Sequence, residues 1–598
     1  MRVLRVAGAA LCLTIAAAPA TGRVRGFQAD TEPTSLVVTT ASDVLDGDVS
    51  SVDNLKANPG PDGVSLREAI LATNNDPGTY AVTFDPSLAG ATVVPEFLMD
   101  SLTGGNVSID GDIDGDGHPD ITIRNPGPSK SKYVIEIASG GNRLAYLKLK
   151  GAHEGVIISP APIAESPPRP RGQTFSGTVL RGLIIRNVSF AGIALASGES
   201  YSGCRKSACE SHNTWRDTLI VGNTISARDN GIEISPSMVI GDRVAGLEIR
   251  GNKVRLASSA CEAGVGVNIH VGNGLRGTAE NVVTHAVVSG NTILGDAQAG
   301  IRLIAGEGAG DRNRVVDARV VGNRIDVTSD RKPRCMGMGV FVASGDGATD
   351  IDSRQANPLY PEGNIVRNVV IKRNELAGWT GIRLMAGCCG ARSNEIRNVT
   401  LRRNTIESFG LFGGIGIQAN FGGGRSRDTA DNKIVGVDVD ANRIKVSRLP
   451  RNPYPHAGGG VSITGGYSFA QFDTDTRGGK VKDIRVTDNR IDARIIGINV
   501  VGGWGLDPDN PIGNVVSGIV IAGNRVLHPP LRAVSYSADT KGISLLGGGL
   551  DARRNRVGCV RIRNNIVAGV TNAYSILTNY SVPQYATSTG NVVRRGCG

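Results

Sequence analysis

Four aspartates within nine residues, Asp112, Asp114, Asp116 and Asp120, are the densest group of metal-ligand side chains in the sequence. In the run Asp112-Ile113-Asp114-Gly115-Asp116-Gly117-His118-Pro119-Asp120 the carboxylates stand at positions 1, 3, 5 and 9, with glycine at position 6. That spacing matches the first part of a calcium loop, whose sixth position must turn sharply. Position 12, where a bidentate glutamate closes such a loop, is Ile123. Four like charges so close repel one another unless a cation neutralises them. A structural calcium ion is therefore expected here, against the plainer reading of a solvated acidic turn. A second set, Glu233, His270 and Arg302, combines a carboxyl, an imidazole and a guanidinium. Such groups abstract or donate protons, and arginine grips a carboxylate through two hydrogen bonds. A third set gathers Tyr467, Phe469, Phe472, Asp473 and Asp475, with Trp504, Asp507 and Asp509 following. Aromatic faces beside carboxylates suit a sugar ring, and paired carboxyls suit glycosidic chemistry.

What must position these residues is a repeat. A glycine, a branched apolar residue, any residue and another apolar one recur ten times between residues 192 and 545, as in Gly231-Ile232-Glu233-Ile234 and Gly381-Ile382-Arg383-Leu384. A second phrase precedes most copies, with apolar residues usually five and three places before an asparagine and another two places after it. It surrounds Asn223, Asn252, Asn291, Asn323, Asn374, Asn404, Asn442, Asn489, Asn524 and Asn565. A unit recurring at this spacing marks a stacked solenoid. The in/out alternation over a few residues marks strands, with no sustained helical period. The sequence therefore predicts an all-β parallel β-helix with three short strands per turn. Each strand buries its apolar face by stacking on its neighbours, and each asparagine is expected to bond its equivalent one turn on.

In such a rod the third residue of every glycine phrase points outward. The column reads Ala194, Glu233, Asn268, Arg302, Phe341, Arg383, Gln418, Ser462, Asn499 and Ser544, with Ser235 and His270 at the next outward place. Glu233, His270 and Arg302 then fall on three consecutive turns, and Arg383 two turns further on. The competing reading is a polar outer surface with no chemistry. The asparagine-phrase strand is instead lined by Arg250, Arg319, Lys372, Arg402, Arg485, Arg561 and Arg563, interrupted by Glu248, Asp438 and Asp440.

The chain has 598 residues, 81 of them glycine, with aromatics at only 4%, a composition for a thin regular core. Residues 1–20 read as a signal peptide: Arg2 and Arg5, an apolar run, then Ala18-Pro19-Ala20. Residues 21–33 read as a flexible leader, 34–130 as an N-terminal cap and 131–598 as the β-helix. No later segment has the roughly 18 consecutive apolar residues of a membrane span, so an exported, secreted or cell-surface product without an integral membrane segment is expected. Outside the signal there remain eight cysteines, an even number suited to disulfides in an oxidising compartment. Cys204 with Cys209 and Cys559 with Cys597 are expected partners; Cys261 and Cys335 stand in comparable loops, and the neighbours Cys388 and Cys389 have no assigned pairing.

In the cap, Ser65-Leu66-Arg67-Glu68 is a capping box opening a helix with Leu66, Ala69 and Ile70 on one face. The run Asp62-Gly63-Val64-Ser65-Leu66-Arg67-Glu68-Ala69-Ile70, with Asn74-Asn75 after it, resembles the CSLREA motif that opens many secreted bacterial right-handed β-helix proteins. Val64 replaces the usual cysteine. The resemblance implies a right-handed, pectate-lyase-like superhelix and export, and no particular activity.

Together these readings give an exported β-helix that binds a polysaccharide, an acidic one if the basic stripe faces it rather than being merely a solvated surface. The net charge of +10 falls to +8 without Arg2 and Arg5 of the signal. If it is an enzyme, a polysaccharide lyase, glycoside hydrolase or epimerase is expected, with Glu233, His270 and Arg302 catalytic and Arg383, Tyr467, Asp473, Asp475, Trp504 and Asp507 binding substrate. The alternative is a non-catalytic cell-surface or adhesion rod. Export and the lack of interleaved aromatics on the basic strand argue against nucleic acid, no cofactor fingerprint is present, and a monomer is expected.

Overall fold

The computed structural model describes residues 32–125, 132–160, 171–197, 211–236, 239–257, 264–274, 278–328, 337–347, 360–410, 413–422, 428–447, 459–468, 475–505, 511–528, 541–550, 552–570, 572–580 and 592–593. Strands pair in parallel with the equivalent strand one turn on. The glycine-phrase strands run in unbroken succession from Tyr133–Ile137 through Asn230–Ser235, Ala299–Ile304 and Thr380–Cys388 to Asn572–Tyr580. This is the expected right-handed parallel β-helix. Parallel pairing begins earlier than the first glycine phrase: Thr34–Val38 pairs with Tyr80–Phe84, which pairs with Val107–Asp110.

The two phrases occur together because one packs on the other. A Cβ placed on Gly231 would lie 2.3 Å from Val254, the apolar residue two places after Asn252. One placed on Gly381 would lie 2.2 Å from Ile406, two places after Asn404. Each glycine therefore leaves room for the branched side chain that the next turn's asparagine phrase brings inward. Packing at this density admits no extra methyl group without displacement.

The asparagines form a ladder. Asn252 Nδ2 donates to Asn291 Oδ1 at 2.9 Å and Asn291 Nδ2 to Asn323 Oδ1 at 2.9 Å, and the series continues to Asn565. Each of these oxygens also accepts the backbone N–H of the preceding asparagine, as Asn291 Oδ1 does from Asn252 N at 2.9 Å. The side-chain expectation is met. A second ladder that the sequence reading did not separate runs through Asn281, Asn313, Asn364, Asn394 and Asn432. Gly479 leaves a gap in it, and Asn420 reaches across, donating to Asn514 Oδ1 and accepting from Asn432. Buried amides so satisfied each contribute about 0.5–1.5 kcal/mol net.

The capping box forms as expected: Ser65 Oγ accepts from Glu68 N, and Glu68 Oε2 accepts from Ser65 N at 2.8 Å, opening the helix Leu66–Asn75. A second short helix, Val52–Ala57, lies beside it. Leu55, Leu66, Ala69 and Ile70 join the same continuous core that runs on to Val560, so the helical region closes the rod's interior rather than forming a core of its own.

Candidate functional site

The register sets three columns along the glycine-phrase face. The first reads Glu233, Asn268, Arg302, Phe341, Arg383, Gly416, Ser462, Asn499 and Ser544. Gly416 stands where the sequence reading placed Gln418. The segment Gly414-Ile415-Gly416-Ile417-Gln418-Ala419 contains the phrase twice, two residues apart. The strand uses the first copy, because Gly414 is the glycine that faces Ile444 one turn on. Gln418 instead aligns with Met385 and Thr464. The second column places His270 beside Ile304 and then Ala343. The third holds the residue seven places after each phrase glycine: Glu307, Asp346, Cys388, Phe421, Tyr467 and Trp504.

Glu233, His270 and Arg302 fall on three consecutive turns as the spacing requires, with Asn268 between Glu233 and Arg302 and His270 one column across. Their surroundings differ from an open polar surface. Glu233 is 7% exposed, His270 4% and Arg302 8%. Outward side chains on this face cover one another, and the third column lies over the first. Arg302 is the hub. Its Nε donates to Asn268 Oδ1 at 2.8 Å, and its Nη2 lies 3.2 Å from His270 Nδ1 and 3.3 Å from Glu307 Oε2. His270 Nδ1 also lies 3.3 Å from Asn268 Nδ2 and 3.3 Å from Glu307 Oε2, and Nε2 sits 3.0 Å from Ser235 Oγ. Arg302 and Asn268 direct N–H groups at Nδ1, where the Glu307 carboxylate also lies, so the roles of the two ring nitrogens follow the tautomer.

Burial separates the titration of these groups. Burial pushes Glu233 up to about 7, against Arg302 and a hydrogen bond of 2.6 Å from Asn230. Burial likewise pushes Asp346 up to about 7, helped by the charge of Glu307 and opposed by Arg302 and Arg383. Glu307 goes the other way: burial would raise it, but Arg302 and then His270 outweigh burial and hold it below its usual value. His270 falls to about 4, chiefly by burial, so its imidazole is neutral at neutral pH. Arg383 is lowered to about 10 by burial and keeps its charge. Opposite displacement of neighbouring carboxyls is how one site supplies both an acid and a base. Glu307 and Asp346 were missed in the sequence reading; their shared position seven residues after Gly300 and Gly339 was the signal.

Arg383 is buried, 8% exposed, and donates from Nε and Nη2 to Gln418 Oε1 at 3.0 and 2.9 Å. Its guanidinium lies 4.5 Å from the ring centroid of Phe421 and 5.9 Å from that of Phe341. Phe421 stacks on Tyr467 at 5.9 Å, and Tyr467 pairs with Trp504 on the next turn, giving a ladder of three half-buried aromatics. Asp475 stands apart from this ladder, ion-paired with Arg477, which also reaches Asp428. Asp473 and Asp507 lie outside the described residues, as do Phe469, Phe472 and Asp509.

Cys388 and Cys389 are bonded to each other. Cys559 is also disulfide-bonded; its expected partner Cys597 and the cysteines at 204, 209, 261 and 335 lie outside the described residues. In the acidic loop, Asp112, Asp114 and Asp116 bring carboxylate oxygens within 4.8 Å of one another. Asp112 is fixed by the N–H groups of Gly115 and Gly117, each at 2.9 Å. Asp120 is not in that group: its Oδ2 accepts from Ile113 N at 2.8 Å and so ties the loop's two ends together. No described helix is long and apolar enough to cross a membrane.

No protein-family model matches this chain, and neither does any curated protein. Among solved structures it is similar to the A-module of the Azotobacter vinelandii mannuronan C-5 epimerase AlgE4, at 11% identity over 86% of this chain and 91% of that one, with a TM-score of 0.25. It is also similar to the periplasmic alginate epimerase AlgG, at 10% identity over 84% of this chain and 77% of that one, TM-score 0.24. A third is the Agl-KA catalytic domain, at 13% identity over 91% of this chain and 69% of that one, TM-score 0.27. Likeness at this level transfers no activity and no site residue, so the chemistry rests on the side chains of this chain.

Proposed function

We propose that the glycine-phrase face binds an acidic polysaccharide and acts on its uronate units by proton transfer. The observation that carries this reading is the charge balance of the cluster. Arg302 faces the carboxylate of Glu307, while Asp346, whose charge bears on Arg383, and Glu233, on which Arg302 and Glu154 both act, are pushed up by burial. Two buried guanidinium groups beside carboxyls that can take up protons favour an anionic group, and arginine suits a carboxylate. Glu307 or the neutral His270 then accepts a proton, and Glu233 or Asp346 supplies one. The aromatic ladder of Phe421, Tyr467 and Trp504 gives the same polymer a stacking surface on the following turns. Acid and base so disposed serve elimination, epimerisation or hydrolysis alike, and the product distinguishes them.

The test is incubation with uronate polymers and neutral glycans, following ultraviolet absorbance of unsaturated products, reducing ends and hydrogen exchange at the uronate C5. Turnover on a uronate polymer that Arg302→Ala abolishes supports the enzyme reading. A second reading, a binding rod without catalysis, is favoured by the burial of Glu233, His270, Arg302 and Arg383. Retention on a glycan with no turnover in any of the three assays selects it. Export through residues 1–20, a CSLREA-type opening of the rod and structural calcium at Asp112, Asp114 and Asp116 complete the proposal.

A further inference from the structure

Cys388 and Cys389 lie in the middle of the candidate site, between the carboxyl groups and the aromatic ladder. A disulfide between adjacent residues closes the smallest loop a chain can make, so it removes almost no freedom from the unfolded state. Bracing therefore does not account for it. Its neighbour on the preceding turn is Asp346, which pairs with Cys388 across the rung. The Asp346 carboxylate and the two sulfurs offer one ligand atom each, all within 4.8 Å of one another.

The backbone holds these three residues from both sides. Cys388 N donates to Gly345 O at 3.0 Å and Gly347 N to Cys388 O at 3.1 Å, while Cys389 N donates to Phe421 O at 3.2 Å on the turn beyond. None of these hydrogen bonds uses a sulfur atom. Cys388 and Cys389 are 4% and 2% exposed, packed with Phe341, Met385 and Phe421, whereas Asp346 is only half-buried.

We propose that Asp346, Cys388 and Cys389 form a binding site for one thiophilic divalent cation of the zinc or cadmium class, closed while the disulfide is intact and opened by reduction. The opening step is balanced by a dithiol reductant: it delivers two electrons and two protons, the Cys388–Cys389 bond breaks, two thiols form, and the reductant closes to its own disulfide. Metal binding then displaces the two thiol protons to solvent. Two thiolates and one carboxylate bind the cation, and water completes the tetrahedral set that such ions favour. Because the metal claims the Asp346 carboxyl, metal also blocks any turnover on this face, but only after reduction. That last consequence rests on the proposed function; the binding does not.

The experiment is a cadmium chloride titration of the full chain, before and after reduction, following the ultraviolet sulfur-to-cadmium charge-transfer band. The reduced protein should take up one cadmium more than the reduced Cys388→Ser/Cys389→Ser variant, and the oxidised protein should show no uptake that the variant lacks. Asp346→Asn should keep both thiols and weaken the extra site roughly tenfold or more. Circular dichroism and the melting temperature establish that each variant is folded, and Cys389→Ser alone, with one thiol left, should lose the extra site too. Equal uptake by parent and double variant, or an extra site indifferent to Asp346→Asn, would overturn the proposal. Neither outcome depends on whether any glycan is turned over.

Discussion

Arg302 and Arg402 both project outward from strands of the same solenoid, and each has a carboxylate within reach, yet their circumstances differ. The Arg302 side chain is 10% exposed and shares Glu307, Asn268 and His270 at 2.8–3.3 Å. The Arg402 side chain is 51% exposed and meets Asp440 at 2.8 Å on the next turn. Around Arg402 the strand Glu395–Arg402 sets buried residues between half-buried and exposed ones, as a strand with one wet face should. Around Arg302 the strand Ala299–Ile304 is buried at every position. The basic stripe on the asparagine-phrase face accordingly has its charges partly paired, Arg485 with Asp438 and Arg250 with Glu248, each of these side chains 46–66% exposed. Proximity of opposite charges is the same on both faces. Exclusion of water is what moves titrations and makes one face chemically distinct.

The largest expected effect separates the two arginines. Arg302→Ala leaves the Glu307 carboxylate buried without its cation, which costs about 3–5 kcal/mol, and should abolish turnover or anionic-glycan binding. Arg402→Ala removes an exposed pair worth about 0–1 kcal/mol and should leave both untouched. Denaturant melts and a binding assay on the two variants decide the matter, and equal losses would erase the distinction between the faces. Next in size is the asparagine ladder, which serves both faces. Asn374→Ala removes the acceptor of Asn323 and the donor to Asn404 and Val320 O, at about 1–3 kcal/mol for each group left unsatisfied. Asn374→Asp should cost less at low pH than at neutral pH, because only the protonated carboxyl can still donate.

The buried face should also show its own dependence on pH. Glu233 rises from 4.5 unfolded to about 7 folded, so the native state holds the proton more tightly. That stability is complete below about pH 4.5 and is lost as pH rises through 7. His270 falls from 6.5 to about 4, so its contribution is present above 6.5 and lost as pH falls through 4. Glu233→Gln should therefore gain melting temperature relative to the parent between pH 4.5 and 7, and His270→Gln should gain it relative to the parent below 6.5. Binding of an anionic glycan should tighten as pH drops below about 7, when Glu233 and Asp346 lose their charges. A flat profile for Arg402→Ala and a flat difference for Glu233→Gln would mean that both faces titrate like water-exposed surfaces.

Much of this architecture was legible because a repeat states its packing many times over. The phrase glycines and the residues after each asparagine recur together since one occupies the space the other leaves, as Ile406 does over Gly381. The placing of Glu233, His270 and Arg302 on three consecutive turns of one face followed from that register. Glu307 and Asp346 did not, because they follow the strand, where glycine-rich segments show no alternation to mark a side chain's direction. Only the constant offset from Gly300 and Gly339 reveals them. Gln418 went astray for a related reason: Gly414 and Gly416 both satisfy the phrase, and the choice between them lies in the contact with Ile444. Burial of the outward column was equally hidden, since a polar residue under a neighbouring segment reads like one facing water.

The smallest effect concerns a third group of charges, one that behaves like the wet face unless a cation intervenes. Asp114 and Asp116 are exposed and Asp112 half-exposed, and their hydrogen bonds to nearby N–H groups leave lone pairs free on each carboxylate. In calcium-free buffer they repel one another through high-dielectric water, which is a weak force at this exposure. Calcium would convert that repulsion into ligation and hold the loop closed over the ends that Asp120 already joins at Ile113. Melting temperature should therefore rise by a few degrees on adding calcium, and Asp114→Ala should abolish the rise while leaving the calcium-free melt unchanged. Magnesium, which demands tighter octahedral geometry and sheds its waters reluctantly, should substitute poorly. If calcium leaves the parent's melt unmoved, these aspartates belong with Asp438 and Asp440 as solvated surface charges.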